Sequence, residues 1–299
     1  MTMLPKNATT RSNDLFATAT EIASLCPTDL ADAIGIVGSV SRGVADKFSD
    51  IDLVFWVKNY PTPEACRRWL SVLDVHELRP GLVRTDGRLW FEYQIKGVLV
   101  NLMWESWDYL NQAVQIIQDV SQGVRSAAGD SYMEIAWTLS HAIVLRNHRE
   151  LDALRRRISV YPEPLRHRVI HDILGVVKRM IHVPVKFAAH DLIFRGEVMD
   201  LKRRQMMSID AILALLFAYN RVWRPDNKWL ISETQRLAKK PDNLLGRINS
   251  VLNGSDGLTS AHTLFSLWVD ALGCLEPEFA VQELKASLQN MLDFNPFEA

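Results

Sequence analysis

Apolar residues recur at two different periods along this chain, and the change from one period to the other divides it. Leu15, Ala19, Ile22 and Leu25 fall on one face, which predicts a helix over 14–33, capped by Asn13 or Ser12 and stopped by Pro27. Ala33-Ile34-Gly35-Ile36-Val37 reads as a short apolar strand and Gly38-Ser39 as the turn leaving it. Ile51 to Val57 reads as a second buried strand, entered through Ser49-Asp50. A further helix is expected from Pro61-Thr62-Pro63-Glu64 to about Leu73, since proline is tolerated in a first turn. Leu89 to Ile95 and Val98 to Trp104, joined by Lys96-Gly97, have the pattern of a β-hairpin. A two-residue turn there sets Ile95 opposite Val98 and, counting outward, Glu92 opposite Asn101.

From Trp107 onward the period is helical. Helices are expected over 107–121, 131–146, 148–159, 163–195, 205–223, 226–239, 243–252, 258–273 and 277–292, with breaks at proline and glycine. The Pro-Asp-Asn triplets at 225–227 and 241–243 read as two helix starts. The predicted fold class is α+β. A mixed-sheet domain over 1–122 is followed by an all-helical domain over 123–299, with a ligand cleft expected between them.

Composition narrows the setting. An apolar content of 48% with 23% charge is that of a soluble globular protein. No apolar run approaches a membrane span, and the first residues lack the apolar core of a signal peptide, so a cytoplasmic location and no membrane partner are expected. The three cysteines, Cys26, Cys66 and Cys274, have neither disulfide-framework nor zinc spacing and are expected as buried thiols. His167 and His171 lie one helical turn apart, but no further metal ligand accompanies them. A net charge of -1 weighs against a protein that grips long nucleic acid, although it leaves room for tRNA on a local patch.

The candidate chemistry sits between the first two strands. Asp50 and Asp52 are two residues apart, so their carboxylates share a face of the strand while Ile51 and Leu53 turn to the core. Paired hard oxygen ligands suit Mg²⁺, which is usually held by one or two carboxylates together with substrate phosphates. Gly38 allows close approach of backbone to a phosphate, and Ser39 offers a hydroxyl and an N–H. Arg42 and Lys47, on the loop between, could neutralise phosphate charge.

Gly38-Ser39, followed by Gly43 and by Ser49-Asp50-Ile51-Asp52-Leu53, resembles the signature of the nucleotidyltransferase superfamily that includes DNA polymerase β and the bacterial antibiotic nucleotidyltransferases. The resemblance covers about the first third of the chain. It implies an enzyme using two Mg²⁺ ions to move a nucleoside monophosphate from ATP or another nucleoside triphosphate to a hydroxyl. The acceptor would be a small hydroxylated molecule such as an aminoglycoside or lincosamide, which would make the protein an antibiotic-resistance factor. Asp50 and Asp52 would be catalytic metal ligands, and Gly38, Ser39, Arg42 and Ser49 would bind the nucleotide.

Relatives commonly carry a third carboxylate on a later strand. Here that place holds Asn101, which cannot act as a general base. Glu92, directly opposed to Asn101 in the expected hairpin, could deliver a carboxylate to nearly the same spot and serve as base or third ligand. The segment from Leu215 to Leu230 resembles part of the helical domain of the antibiotic-type enzymes, which implies that Asn220 and Lys228 face the nucleotide. Two alternatives stay open: a toxin-like or regulatory enzyme modifying tRNA or protein, and a nucleotide-binding protein whose Asn101 marks lost catalysis.

Overall fold

The computed structural model describes residues 3–73, 75–83, 88–119, 132–147, 149–181, 190–275 and 278–292. It separates into two compact units, Met1–Val160 and Tyr161–Ala299. The expected boundary at 122/123 lies outside the described residues. The described residues from 132 to 160 go with the sheet unit, where a short strand at 143–146 pairs with the sheet.

The first unit holds helix α1 (Thr10–Leu25), strand β1 (Ala33–Val37), a one-turn helix α2 (Gly38–Ser41), β2 (Ile51–Val57), α3 (Pro63–Leu70), β3 (Val75–Val83), β4 (Leu89–Ile95), β5 (Val98–Ser106), α4 (Trp107–Asp119), α5 (Tyr132–His141), β6 (Ile143–Arg146) and α6 (Arg149–Ile158). The six strands form one mixed sheet in the order β3-β4-β5-β2-β1-β6. Only the β2–β5 pair is parallel; the others run antiparallel.

Alternation decides which face is core. On one face Leu53, Phe55, Phe91, Leu102 and Trp104 pack with Leu15, Ala19 and Ile22 of α1 and with Cys66 and Trp69 of α3. Phe55 stacks on Trp104 with ring centroids 4.5 Å apart, and the Trp104 indole donates to the Leu30 carbonyl at 2.9 Å. Burial of apolar area at about 25 cal/mol per Å² makes this layer the main source of the unit's stability. In β2 every residue is buried except Asp52, which lies on the opposite face and is only half covered.

Several expectations are corrected. α1 starts at Thr10 and is capped by Thr9, whose hydroxyl accepts from the Ser12 N–H at 3.1 Å. Ser12 and Asn13 therefore lie inside the helix. Ser12 is fully buried, and its hydroxyl accepts from the Ala45 N–H at 2.9 Å, which ties the loop after α2 to α1. Leu25 is 53% exposed and Cys26 is buried in its place.

The expected helix over 131–146 ends at His141. Ile143–Arg146 is a strand, because the free edge of β1 offers backbone pairing to a β-branched apolar run too short to hold a helix of its own. β3 was not anticipated. Pro80 and Gly81 interrupt its pattern, and its pairing with β4 shifts register twice. The hairpin has the expected pairing, Ile95 with Val98 through Glu92 with Asn101. Lys96 and Gly97 both have positive φ, 51° and 75°, as a primed two-residue turn requires.

The second unit is helical: Glu163–Ile181, His190–Arg195, Val198–Tyr219, Leu230–Arg236, Leu244–Asn253, Gly257–Leu275 and Gln282–Leu292, with a 3₁₀ turn at Asn227–Trp229. Residues 182–189, within the expected helix 163–195, lie outside the described residues, as do 120 and 121 of the helix expected over 107–121. The long central helix begins at Val198, seven residues before the expected start, because its first two turns carry Asp200, Lys202 and Arg203 rather than an apolar stripe. Lys202 donates to the carbonyls of Val251, Leu252 and Gly254, which finishes the C-terminus of the neighbouring helix. Asp226 caps the 3₁₀ turn as expected, whereas Asn243 precedes its helix in a left-handed conformation without a capping hydrogen bond. Among the described residues no helix is long and apolar enough to cross a membrane.

Candidate active site

Three adjacent strands set a single row of polar residues. Val37 of β1 pairs with Asp52 of β2, Asp52 with Asn101 of β5, and Asn101 with Glu92 of β4. Directly paired residues share a face, so Asp52, Asn101 and Glu92 project to the side of the sheet away from the aromatic core. All three are half-buried.

Asn101 joins the two aspartates. Its side-chain amide Nδ2 donates to Asp50 Oδ2 at 2.9 Å and to Asp52 Oδ1 at 3.0 Å. Two carboxylates thus converge on one donor. Which end of the amide faces them is an assignment that follows from the network: the reverse orientation would crowd three oxygens together. The other end, Oδ1, is buried and meets no hydrogen-bond partner among the described residues. A buried carbonyl without a donor is costly, and it marks a place where the arrangement is incomplete.

The glycine turn closes against this pair. Gly38 has φ of +71°, and a β-carbon added to it would collide with Oδ2 of Asp52. Glycine is therefore favoured at 38 by its backbone conformation, and any side chain there would have to displace the carboxylate beside it. Gly38-Ser39 begins the one-turn helix α2 rather than a simple turn. The Ser39 carbonyl accepts from the Val44 N–H at 3.1 Å, while the Ser41 hydroxyl donates to the Gly38 carbonyl at 3.1 Å. Gly43 also has φ of +71°, and a β-carbon there would press on Ala8.

Ser49 and Arg42 belong to the loop around the pair. The Ser49 hydroxyl donates to Asp46 Oδ1 at 3.0 Å and accepts from the Asp46 N–H at 2.9 Å, so it shapes the turn that leads into Asp50. The Phe48 N–H, then the Ser49 hydroxyl, hold the Asp46 carboxyl below its ordinary pKa. The Arg42 guanidinium lies over the ring of Trp137, 5.2 Å from its centroid. Lys47 is exposed and rests against Phe48.

The geometry suits a hard divalent cation at the aspartate pair. Two carboxylate oxygens already share one partner, the Asn101 amide nitrogen, so they lie close enough together to share a cation in its place. Among the described residues no group of three or more His, Cys, Asp and Glu is placed to hold a metal. Glu92 lies two strand spacings from Asp52, roughly 9–10 Å between backbones. It is thus in the same row, one strand beyond Asn101. His167 and His171 are exposed and lie beside Glu163 and Asp172.

The two candidates in the helical unit have different surroundings. The Asn220 side chain donates to the carbonyls of Leu216 and Lys239, at 2.8 and 2.7 Å, and accepts from the Lys239 N–H at 2.8 Å. Its amide braces a loop against the end of the central helix. Lys228 is exposed, with its ammonium 5.7 Å from the Trp229 ring centroid. Sequence reasoning missed the bridging role of Asn101. That role depends on the parallel β2–β5 register, which sets Asp52 opposite Asn101 and which the hairpin pattern does not specify.

A family model described as a domain of unknown function, DUF4037, matches residues 132–230. No curated protein matches the chain. Among solved structures, a nucleotidyltransferase-like protein from Exiguobacterium sibiricum 255-15 is similar at 13% identity and a TM-score of 0.36, with 95% of this chain and 90% of that chain covered. A likeness that distant carries no argument about chemistry, which rests on the residues themselves.

Proposed function

We propose that this chain is a Mg²⁺-dependent nucleotidyltransferase that moves a nucleoside monophosphate, AMP from ATP, to a hydroxyl of a small acceptor and releases pyrophosphate. The observation that supports this reading most is the convergence of Asp50 and Asp52 on the Asn101 amide, beside a glycine whose backbone has positive φ and packs against the Asp52 carboxylate.

In the reaction the acceptor oxygen forms a bond to the α-phosphorus, the bond from that phosphorus to the β-phosphate bridging oxygen breaks, and pyrophosphate leaves. Bound Mg²⁺ would supply charge neutralisation on the triphosphate and polarise the reacting oxygens. Asp50 and Asp52 would hold it through the carboxylate oxygens that now accept from the Asn101 amide. Gly38 and Ser39 present backbone close to Asp52, where a phosphate can approach. Glu92, one strand beyond Asn101, accepts the hydroxyl proton as the bond to phosphorus forms. Positioning and charge carry most of the rate, as is usual for reactions at phosphorus.

A second reading, a nucleotide-binding protein without turnover, draws on Asn101 standing between Asp52 and Glu92 where a carboxylate would be expected. The test separates the two. The purified chain is incubated with Mg²⁺ and each α-labelled nucleoside triphosphate against aminoglycosides, lincosamides, tRNA and protein acceptors. Label on a small hydroxylated acceptor with matching pyrophosphate release supports transfer. Triphosphate binding with no release against any acceptor supports the second reading.

A further inference from the structure

The helical unit contains a cavity of about 220 Å³ between three of its helices, Glu163–Ile181, Val198–Tyr219 and Gly257–Leu275. Its wall is almost wholly apolar and includes Val177, Leu201, Phe265 and Trp268. Three polar residues of the central helix, Arg204, Gln205 and Ser208, interrupt it. Ser208 accepts a hydrogen bond from the Trp268 indole at 2.7 Å. Gln205 is 3% exposed, and neither its Oε1 nor its Nε2 meets a hydrogen-bond partner among the described residues.

An amide left without partners inside an apolar wall is the opposite of what folding alone selects, since buried polar groups are normally satisfied. A core position of that kind would be filled at lower cost by leucine or methionine. The cavity is open to solvent at one side, where Val176 and Met207 of its wall are exposed. It has room for one aromatic ring with a polar substituent, and Phe265 and Trp268 offer aromatic surface to such a ring.

We propose that this cavity binds a small planar ring that carries a hydrogen-bond donor and an acceptor side by side, matching the Gln205 amide. A primary amide presents one donor and one acceptor in a plane, so its partner must present the complement: a carboxamide or the edge of a nucleobase. The site lies wholly within the helical unit and stands whether or not the chain transfers nucleotides.

The test is titration of the full chain with benzamide, adenine and toluene, followed by calorimetry and by the shift in melting temperature. Benzamide or adenine is expected to bind at least tenfold more tightly than toluene. Preference for benzamide identifies a carboxamide ligand and preference for adenine a nucleobase. In Gln205→Leu and Gln205→Met the favoured polar ring loses at least tenfold in affinity while toluene gains. Two near-isosteric variants keep the comparison available if one of them folds poorly. Binding of the polar rings equally to parent and variants would overturn the proposal, and so would failure of every probe to bind the folded parent.

Discussion

Gly38 and Asp52 are fitted to each other: the Oδ2 atom of Asp52 occupies the space that any side chain at position 38 would need. Strand β1 ends where β2 begins its exposed carboxylate, and Val37 pairs with Asp52 in the sheet, so the turn and the acid are placed by the same backbone ladder.

Gly38→Ala is therefore expected to do two separable things. The left-handed backbone at 38 costs about 1 kcal/mol with a β-carbon present. The collision with Asp52 also displaces a carboxylate, so pyrophosphate release should fall by a hundredfold or more. Denaturant unfolding measures the first effect and turnover the second. Loss of stability with undiminished turnover would break the link between turn and acid.

Asn101→Asp replaces the amide that joins two carboxylates with a third negative charge. Hydrogen bonds from an amide to charged acceptors contribute about 1.5–3 kcal/mol, and their loss is compounded by repulsion. In the presence of EDTA the variant should melt several degrees lower than the parent. Mg²⁺ should recover more of that loss than it adds to the parent, because three carboxylates hold a cation more strongly than two. Equal Mg²⁺ responses would place the ion elsewhere.

Glu92→Gln is expected to lower turnover at least a hundredfold while changing triphosphate affinity less than about threefold, the pattern of a group used mainly in the transition state. A parallel loss of affinity would make Glu92 a ligand-binding residue instead.

The helical unit has its own electrostatic pin. Arg166 is fully buried and donates to both carboxylate oxygens of Glu278, at 2.5 and 2.6 Å, and to Glu163 at 3.1 Å. The Arg166 hydrogen bonds hold the Glu278 carboxyl below the ordinary range; for Glu163 the bond from Arg221 is the larger cause. Folded-state values below the unfolded ones mean a stabilisation present in full above the ordinary glutamate pKa of about 4.3 and lost as pH falls through the folded values. Both carboxylates are nearly half exposed, so solvent screening limits each to about 1 kcal/mol. Melting temperature should decline below roughly pH 4, and Glu278→Gln should lower it at pH 7 while flattening that decline. An unchanged acid profile in the variant would remove Glu278 from this account.

How much of this was legible beforehand varied with the range of the interaction. The pairing of Glu92 with Asn101 followed from a local rule, because Lys96-Gly97 fixes a two-residue turn and the turn fixes the register. The shared face of Asp50 and Asp52 followed from strand periodicity. Ile143–Arg146 was read as helix because its strand character depends on an edge of β1 more than a hundred residues earlier in the chain. The bridging amide of Asn101 needed the parallel β2–β5 pairing, which no local pattern specifies. A nucleotide contact at Asn220 rests on the resemblance of the Leu215–Leu230 segment alone, and its side chain hydrogen-bonds the backbone of Leu216 and Lys239. Nothing in the sequence sets Gln205 apart, since a glutamine in a helix is ordinary until its neighbours prove to be mostly apolar.

The central claim is that Asp50 and Asp52 jointly hold a metal-bound triphosphate, and thermal unfolding with both ligands tests it most directly. Melting temperatures are measured for the parent, Asp50→Asn and Asp52→Asn with no addition, with Mg²⁺, with ATP and EDTA, and with Mg²⁺ and ATP together. Ligands that share one native site stabilise it cooperatively, so in the parent the combined shift should exceed the sum of the separate shifts, and in each variant the excess should vanish. Merely additive shifts in the parent, or an excess that survives in both variants, would contradict the assignment.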